Sequence, residues 1–417
     1  MDLSFSQPDD PERERSKWPP SDKKGCRTRV TIDLGRFEEN VRRTLSLLPM
    51  GVKLLPVIKA NAYGHGLLPI VSSLQRIGIV QVAVMGFDEA CQIRQGGYDE
   101  TIVLLGGFDE LELAYCLKYN FTPVLHHPDQ IACLESLSSD GVLNVHIKID
   151  SGMGRLGFLP DELPGILDRI AVLNHVQIRG GMTHFPLSEN RKDTEGCVRL
   201  FQEALSSVSG HPALKHLEVI HMANSAAVLN GFSEWPESVR VGGNAVRPSF
   251  WARPGLLLYG YFPIEGVREE WTKIRPIMKV DARLVSVRSL PKGSTISYGR
   301  TVTLSRNSRI GIIGMGYADG LPRGVTGQGW ATISGTKAPF LGRVCMDMVA
   351  VDLTDVPEGL SSGDWVSIID PDSPESMSVD LLAGWLDTIA YEILCLIGHR
   401  SERKYIAGAI PTYQGNL

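Results

Sequence analysis

Between residue 28 and about 260, short apolar runs alternate with segments whose apolar positions recur every three or four residues. The runs are "LLPVIKA" (54–60), "VQVAVMG" (80–86), "TIVLLGG" (101–107), "FTPVLH" (121–126), "NVHIKID" (144–150), "VQIRGGMTH" (176–184) and "LEVIHMAN" (217–224), with an eighth inside "ESVRVGGNAVRPSFWARPGLLLYG". Amphipathic stretches such as "LGRFEENVRRTLSLL", "DELELAYCLKY", "PDQIACLESL" and "NRKDTEGCVRLFQEALSSV" lie between them. Strands this apolar are buried on both faces, as in a parallel sheet. Eight strand–helix units in this length predict a (β/α)₈ TIM-like barrel. A doubly wound open sheet is the alternative, but no G-x-G-x-x-G follows the first run.

The texture changes after residue 273. "PIMKVDARLVSVRSLPKGSTISYGRTVTL", "RIGIIGMGYADG", "GWATISGTKAPFLGRVCMDMVAVDL" and "SGDWVSIID" are short, alternating and punctuated by glycine and proline. That pattern predicts a mostly antiparallel β domain. "SVDLLAGWLDTIAYEILCLIG" reads as one or two helices. The expected organisation is a disordered tail at 1–27, a barrel at 28–272 and a C-terminal β domain at 273–417.

Composition narrows the class. The chain of 417 residues carries a net charge of −5, which gives no electrostatic footprint for nucleic acid or an anionic membrane. Its seven cysteines form no C-x-x-C pair, which fits reduced thiols in a cytoplasmic protein and predicts neither a disulfide framework nor a metal site. The Pro-rich, charged start lacks the apolar core of a signal peptide. The most apolar helical stretch is interrupted by Asp387 and Glu392, so no membrane span is expected.

Lys59 stands at the carboxyl end of the first predicted barrel strand, where barrel active sites are built. A lysine in apolar surroundings has a depressed pKa and becomes a credible Schiff-base nucleophile. The plain alternative is a lysine snorkelling at a strand end. "VIKANAYGHG" resembles the cofactor-attachment motif of the alanine racemase family, pyridoxal-phosphate enzymes with a barrel followed by a β domain. "VTIDLGRFEENVRR", "HIKIDSGMGRLGF", "GGMTHF", "HMANSAAVL", "ARPGLLLYG", "SYGRTV", "GMGYADGLPR", "GRVCMDMVAVDLTD" and "YEILCLIGHRSERKY" resemble the family's segments in order, from about residue 28 to 405.

The resemblance implies roles. Lys59 would carry pyridoxal 5'-phosphate and act as a base at Cα. Tyr63, Ser225, Gly255 and Tyr391 would hold the phosphate, and Arg253 would face the ring nitrogen, with Arg247 in "AVRPSF" a second candidate. Arginine keeps its proton, so the ring stays a weaker electron sink, which suits racemisation over transamination. Tyr298 in "ISYGRTV" resembles the second acid/base, and His184 the histidine linking it towards the arginine. A free tyrosine titrates near 10, so it needs help to ionise. Arg155 and the backbone N–H of Met346 resemble the clamp on the substrate carboxylate. Lys148 matches a lysine that is often carbamylated; its plain alternative is an ion pair with Asp150. Tyr317, Asp319, Arg323 and Asp347 resemble residues at the entrance. Because Tyr298 and Met346 lie in the β domain, the family's head-to-tail homodimer with shared sites is implied.

The expected activity is therefore an isomerase interconverting L- and D-alanine, supplying D-alanine for peptidoglycan. Alternatives are a serine or broad-specificity racemase of the same family, since "GHRSERKY" departs from the usual arginine-valine-proline ending. A barrel decarboxylase would need a different lysine motif and a glycine-rich phosphate loop. A non-catalytic cofactor carrier would lack the β domain.

Overall fold

The computed structural model describes residues 26–137, 141–235, 239–241, 244–246, 248–264, 266, 271 and 273–406. Almost all of the expected tail, and Arg247, lie outside the described residues. The chain forms two compact units. One contains Thr31–Met278, Ser378–Ile397 and the residues from Tyr405 on; the other contains the residues up to Val30, Lys279–Met377 and Gly398–Lys404.

Strand β1 (Thr28–Asp33) opens the described chain and joins the sheet of the second unit. The first unit is built on β2 (Val52–Leu54), β3 (Gln81–Val84), β4 (Thr101–Leu104), β5 (Thr122–Leu125), β6 (Leu143–Lys148), β7 (Val176–Met182) and β8 (Val219–His221). A small antiparallel hairpin, β9 (Val239–Val241) and β10 (Asn244–Val246), precedes the last barrel strand, β11 (Ser249–Ala252). The eight barrel strands run parallel in the order β2-β11-β8-β7-β6-β5-β4-β3. The ring is drawn together where Val57 bridges Ala83, with Ile58 N–H donating to the Ala83 carbonyl at 2.9 Å and Ala83 N–H to that of Pro56 at 2.8 Å. The predicted TIM-like barrel is what forms. Its strands carry apolar side chains on both faces because both faces are covered: every residue of β3 and β5 is buried.

Local chemistry sets the helices around it. Asp109 and Glu112 make a reciprocal capping box on Glu110–Lys118, satisfying two otherwise unpaired N–H groups. Asn190 caps Arg191–Ser207. The first apolar run required correction. Of "LLPVIKA" only Leu54 lies in a strand, at the end of Val52–Leu54, and Lys59 opens a short turn, Lys59–Tyr63, instead of ending a strand.

The second unit is a β sheet of order β15-β18-β17-β16-β19-β12-β1-β20, with β15 also paired to β12. Its strands are β12 (Met278–Leu290), β15 (Ser308–Ile313), β16 (Trp330–Ile333), β17 (Thr336–Leu341), β18 (Val349–Asp352), β19 (Trp365–Ile369) and β20 (Glu402–Ile406), with a short hairpin of β13 (Thr295–Ile296) and β14 (Val302–Thr303). β12 alternates buried and half-buried residues along its first half, as a one-sided sheet should. The pairings β12–β15, β15–β18, β17–β18 and β16–β17 are antiparallel, as predicted.

The expected second domain at 273–417 is interrupted. Helices Val379–Trp385 and Ala390–Leu396 belong to the barrel unit. The cause is apolar packing: Val379, Leu382, Ile393 and Leu394 are all buried. The segment "HRSER", at 399–403, is tied to the first strand. Ser401 Oγ lies 2.7 Å from Thr28 Oγ1, and Arg29 Nε donates to Glu402 Oε2 at 3.3 Å, so both residues bind β1. Among the described residues, no helix is long and apolar enough to cross a membrane.

Candidate active site

At the C-terminal mouth of the barrel lies a cavity of about 370 Å³. It gathers Lys59, Tyr63, Lys148, Arg155, His184, Ser225, Arg253, Gly255 and Tyr391, nine of the residues expected from the sequence. Met85, Leu105, Leu156, Met182 and Asn224 complete most of its wall.

Lys59 is presented by an unusual backbone. Ala60, Asn61, Ala62 and Tyr63 all have φ between 52° and 55°. Left-handed helical residues with a Cβ cost about 1–2 kcal/mol each, so the surroundings must hold this turn. Ala62 N–H donates to the Ile58 carbonyl and Gly64 N–H to that of Ala60, both at 2.9 Å. His65, fully buried and stacked 4.5 Å from the Tyr259 ring, holds the Ala62 carbonyl 2.9 Å from its Nδ1. Asn61 Oδ1 accepts from Leu67 N–H at 2.8 Å, tying the turn to helix Leu67–Arg76. The Lys59 amine is half-buried, and burial first, then the charge of Arg155, holds its pKa below the usual lysine value.

Tyr63, Ser225 and Gly255 form a compact group. The N–H groups of Gly255 and Leu257 donate to Ser225 Oγ at 3.0 and 3.4 Å, leaving the serine hydrogen free to point elsewhere. Gly255 is required by space: a Cβ there would come within 2.3 Å of the Tyr63 hydroxyl. The Tyr391 ring, from helix Ala390–Leu396, lies 5.8 Å from that of Tyr63. Burial pushes the Tyr391 phenol up to about 12 and that of Tyr63 higher still.

Arg253 is buried, 4% exposed, with no carboxylate within 4.0 Å among the described residues. Its Nη2 donates to the Thr183 carbonyl at 2.7 Å and that of Met222 at 3.2 Å. Its Nη1 reaches His221 Nδ1 at 3.1 Å, and Nη2 reaches His184 Nδ1 at 3.3 Å. A guanidinium only donates, so both Nδ1 atoms accept and both imidazoles carry their hydrogen on Nε2. His221 Nε2 then donates to His146 Nδ1 at 2.8 Å. Gly180 makes room for this pair: a Cβ there would lie 2.5 Å from the His146 ring. Burial lowers Arg253 to about 9, still a cation at neutral pH. Burial and then this cation hold His146 and His184 at about 3, and His221 far below its usual value.

These depressed imidazoles link stability to pH. Above about 6.5 they are neutral in both the folded and unfolded chain. Below it the unfolded chain binds protons that the folded one refuses, so stability falls as pH drops from about 6.5 towards 3. Denaturant unfolding between pH 4.5 and 7.5 should show this slope, and it should be shallower in His146→Phe, which has one fewer such group.

Lys148 is 4% exposed, and burial followed by Arg253 and Arg155 lowers its amine to about 8. It is not ion-paired with Asp150. That carboxylate accepts from the backbone of Gly152, Met153 and Arg155 at 2.9, 2.8 and 3.2 Å, shaping the loop that carries Arg155.

Tyr298 and Met346 belong to the β unit. Tyr298 opens a 3₁₀ turn, Tyr298–Arg300, and is 73% exposed beside a surface hollow of about 400 Å³ that Cys345 and Met348 also line. Ser297 (φ 64°) and Arg300 (φ 49°) are left-handed, and Ser297 Oγ donates to the Arg343 carbonyl at 2.9 Å, anchoring the turn. Met346 is 53% exposed; its carbonyl accepts from Ala318 N–H at 3.0 Å. Of the expected entrance residues, Tyr317 and Arg323 are exposed. Asp347 is tied to Arg400 at 2.7 Å, and Asp319 is buried, binding Arg400 Nε and Gly316 N–H.

His146, His221, Asn224 and Met85 also belong to this region, though no sequence motif predicted them. Spacing carried a signal for the first: His146 and Lys148, two apart on β6, share a face.

Residues 32–263 match the alanine racemase N-terminal domain and residues 277–405 the alanine racemase C-terminal domain. An alanine racemase from Nitratidesulfovibrio vulgaris is 36% identical, over 88% of this chain and 95% of that protein. One from Halothermothrix orenii is 32% identical, over 91% of this chain and 96% of that protein. The solved structure of an alanine racemase from Clostridium difficile superposes with a TM-score of 0.80 at 27% identity, covering 92% of this chain and 96% of that one. With both halves matched and a relative 36% identical over 88% of the chain, the chain belongs to the alanine racemase family.

Proposed function

We propose that this protein interconverts L- and D-alanine, with pyridoxal 5'-phosphate carried on Lys59 and with Tyr298 of the partner subunit as the second acid/base. What supports this reading above all is one barrel-mouth cavity holding a depressed lysine amine, a serine–glycine–tyrosine cradle and a buried guanidinium ringed by neutral imidazoles.

The residues fit such a cofactor. The absent Cβ of Gly255 leaves backbone and the Tyr63 hydroxyl at close range, and Ser225 retains a hydrogen to donate, which suits a phosphate. Tyr391 adds a phenol that burial keeps protonated. Arg253 would face the ring nitrogen. Its histidine partners accept from it instead of supplying a proton, so that end of the site offers no acid. When bound, the cofactor supplies an aldehyde that joins amines and a conjugated ring that loosens the hydrogen on Cα.

This chain's own groups would then exchange the hydrogen on Cα, one group taking it from one face while the other gives its own proton to the opposite face. The Lys59 amine, its pKa lowered, takes or returns it on one face of Cα. On the other face the Tyr298 hydroxyl would give its own proton when Lys59 takes one, and the resulting phenolate would take one back when Lys59 returns it, with the His184 Nε2 hydrogen available to stabilise the phenolate. Arg155 would bind the substrate carboxylate through its planar fork, helped by the Met346 backbone of the other subunit. Lys148, buried among cations, is set up to take carbon dioxide as a carbamate with loss of a proton, placing a negative charge beside Arg155. The exposure of Tyr298 supports a head-to-tail homodimer that completes each site. Activity should then fall on dilution below the dimer dissociation constant, and a fully active monomer contradicts the shared site.

The deciding experiment incubates the protein with alanine, serine and other amino acids in deuterium oxide. Deuterium should enter Cα of alanine alongside loss of optical activity; absence of both refutes the reading. Gly255→Ala is expected to weaken cofactor binding at least about tenfold, about 1.4 kcal/mol, in an absorbance titration.

A further inference from the structure

Four consecutive left-handed residues beside Lys59 require something outside the turn to hold them, and one side chain is placed to do it. Helix Phe87–Gln95 carries Glu89 in its first turn, where a carboxylate is favoured by the helix dipole. Glu89 Oε1 accepts from the backbone N–H of Asn61 at 3.1 Å, inside the left-handed turn. Its other oxygen, Oε2, accepts from Met85 N–H at 3.2 Å, just past the end of β3. Lys59 and Met85 both line the cavity, so one carboxylate ties two of its walls together.

We infer that Glu89 is a positioning residue: it clamps the Asn61 and Met85 amides, fixing the Lys59 turn against β3 and setting a negative charge near the lysine amine. This rests on the reading of Lys59 as the cofactor-bearing amine. The charge opposes burial and Arg155, both of which depress Lys59. Other groups around the amine are Cys395, whose thiol burial raises, His184, and the phenols Tyr63 and Tyr391. Lys148, lowered to about 8, is the other amine lining the cavity. It is common to every variant, so comparison between variants isolates Glu89.

Glu89→Gln keeps one accepting oxygen and loses the charge. Glu89→Asp keeps the charge but is one methylene too short to span both amides. Amide exchange in the purified full chain should speed at Asn61 or Met85 by at least about tenfold in both variants, the scale of one charge-assisted hydrogen bond. With the cofactor withdrawn, the rate at which added pyridoxal 5'-phosphate is fixed by borohydride on Lys59 should follow pH with a midpoint about half a unit lower in Glu89→Gln. The midpoint should be unmoved in Glu89→Asp, and the limiting rate about tenfold lower in both. Unchanged exchange, midpoint and limiting rate in Glu89→Gln, with label still on Lys59, overturn the clamp alone. Label on another lysine in the unaltered protein overturns the clamp together with the reading beneath it.

Discussion

In Tyr298→Phe, racemisation is expected to fall at least about 10³-fold while the cofactor remains attached to Lys59, because one positioned acid/base is worth about 10²–10⁴ in rate. The substitution removes one oxygen and little else. Tyr298 is 73% exposed, so its hydroxyl supports no core. The turn that presents it is anchored through Ser297 Oγ and the Arg343 carbonyl, neither of which changes. The variant also separates the two faces of Cα. Lys59 is untouched, so one enantiomer should still exchange its Cα hydrogen for deuterium at an appreciable rate, while conversion to the mirror image is lost. Retention of the full racemisation rate would end the two-base proposal.

Lys59→Ala should be more damaging, with a loss of at least about 10⁴-fold, since both covalent attachment and the proton transfer on the opposite face disappear. Borohydride should then fix no cofactor on the protein. The fold should survive. The left-handed run begins at Ala60, so alanine at 59 meets no backbone strain, and a half-buried lysine stem contributes little packing. Cofactor still fixed on a different lysine, with activity preserved, would refute the assignment of Lys59.

Much of the barrel site was legible because its groups lie in short motifs. "KANAY" brings Lys59 and Tyr63 to one turn, "HMANS" places Ser225 after β8, and "ARPG" sets Arg253 beside Gly255. What escaped was pairing at long range. His146 and His221 are 75 positions apart and meet at 2.8 Å only because β6 and β8 flank β7 in the closed sheet. The double glycine before "MTHF" has no local explanation either, until the His146 ring is seen against Gly180.

The alternation of strands and helices, the change to antiparallel pairing after residue 273 and the inventory of reactive side chains were determined by the sequence, since periodicity and motif chemistry are properties of neighbours. Tertiary structure decided the rest. It wound Ala60–Tyr63 left-handed, brought the helices at 379–385 and 390–396 to the barrel unit with Tyr391, and kept three imidazoles neutral around one guanidinium. Each of those outcomes depends on contacts between residues far apart along the chain, and the neutral imidazoles depend also on burial.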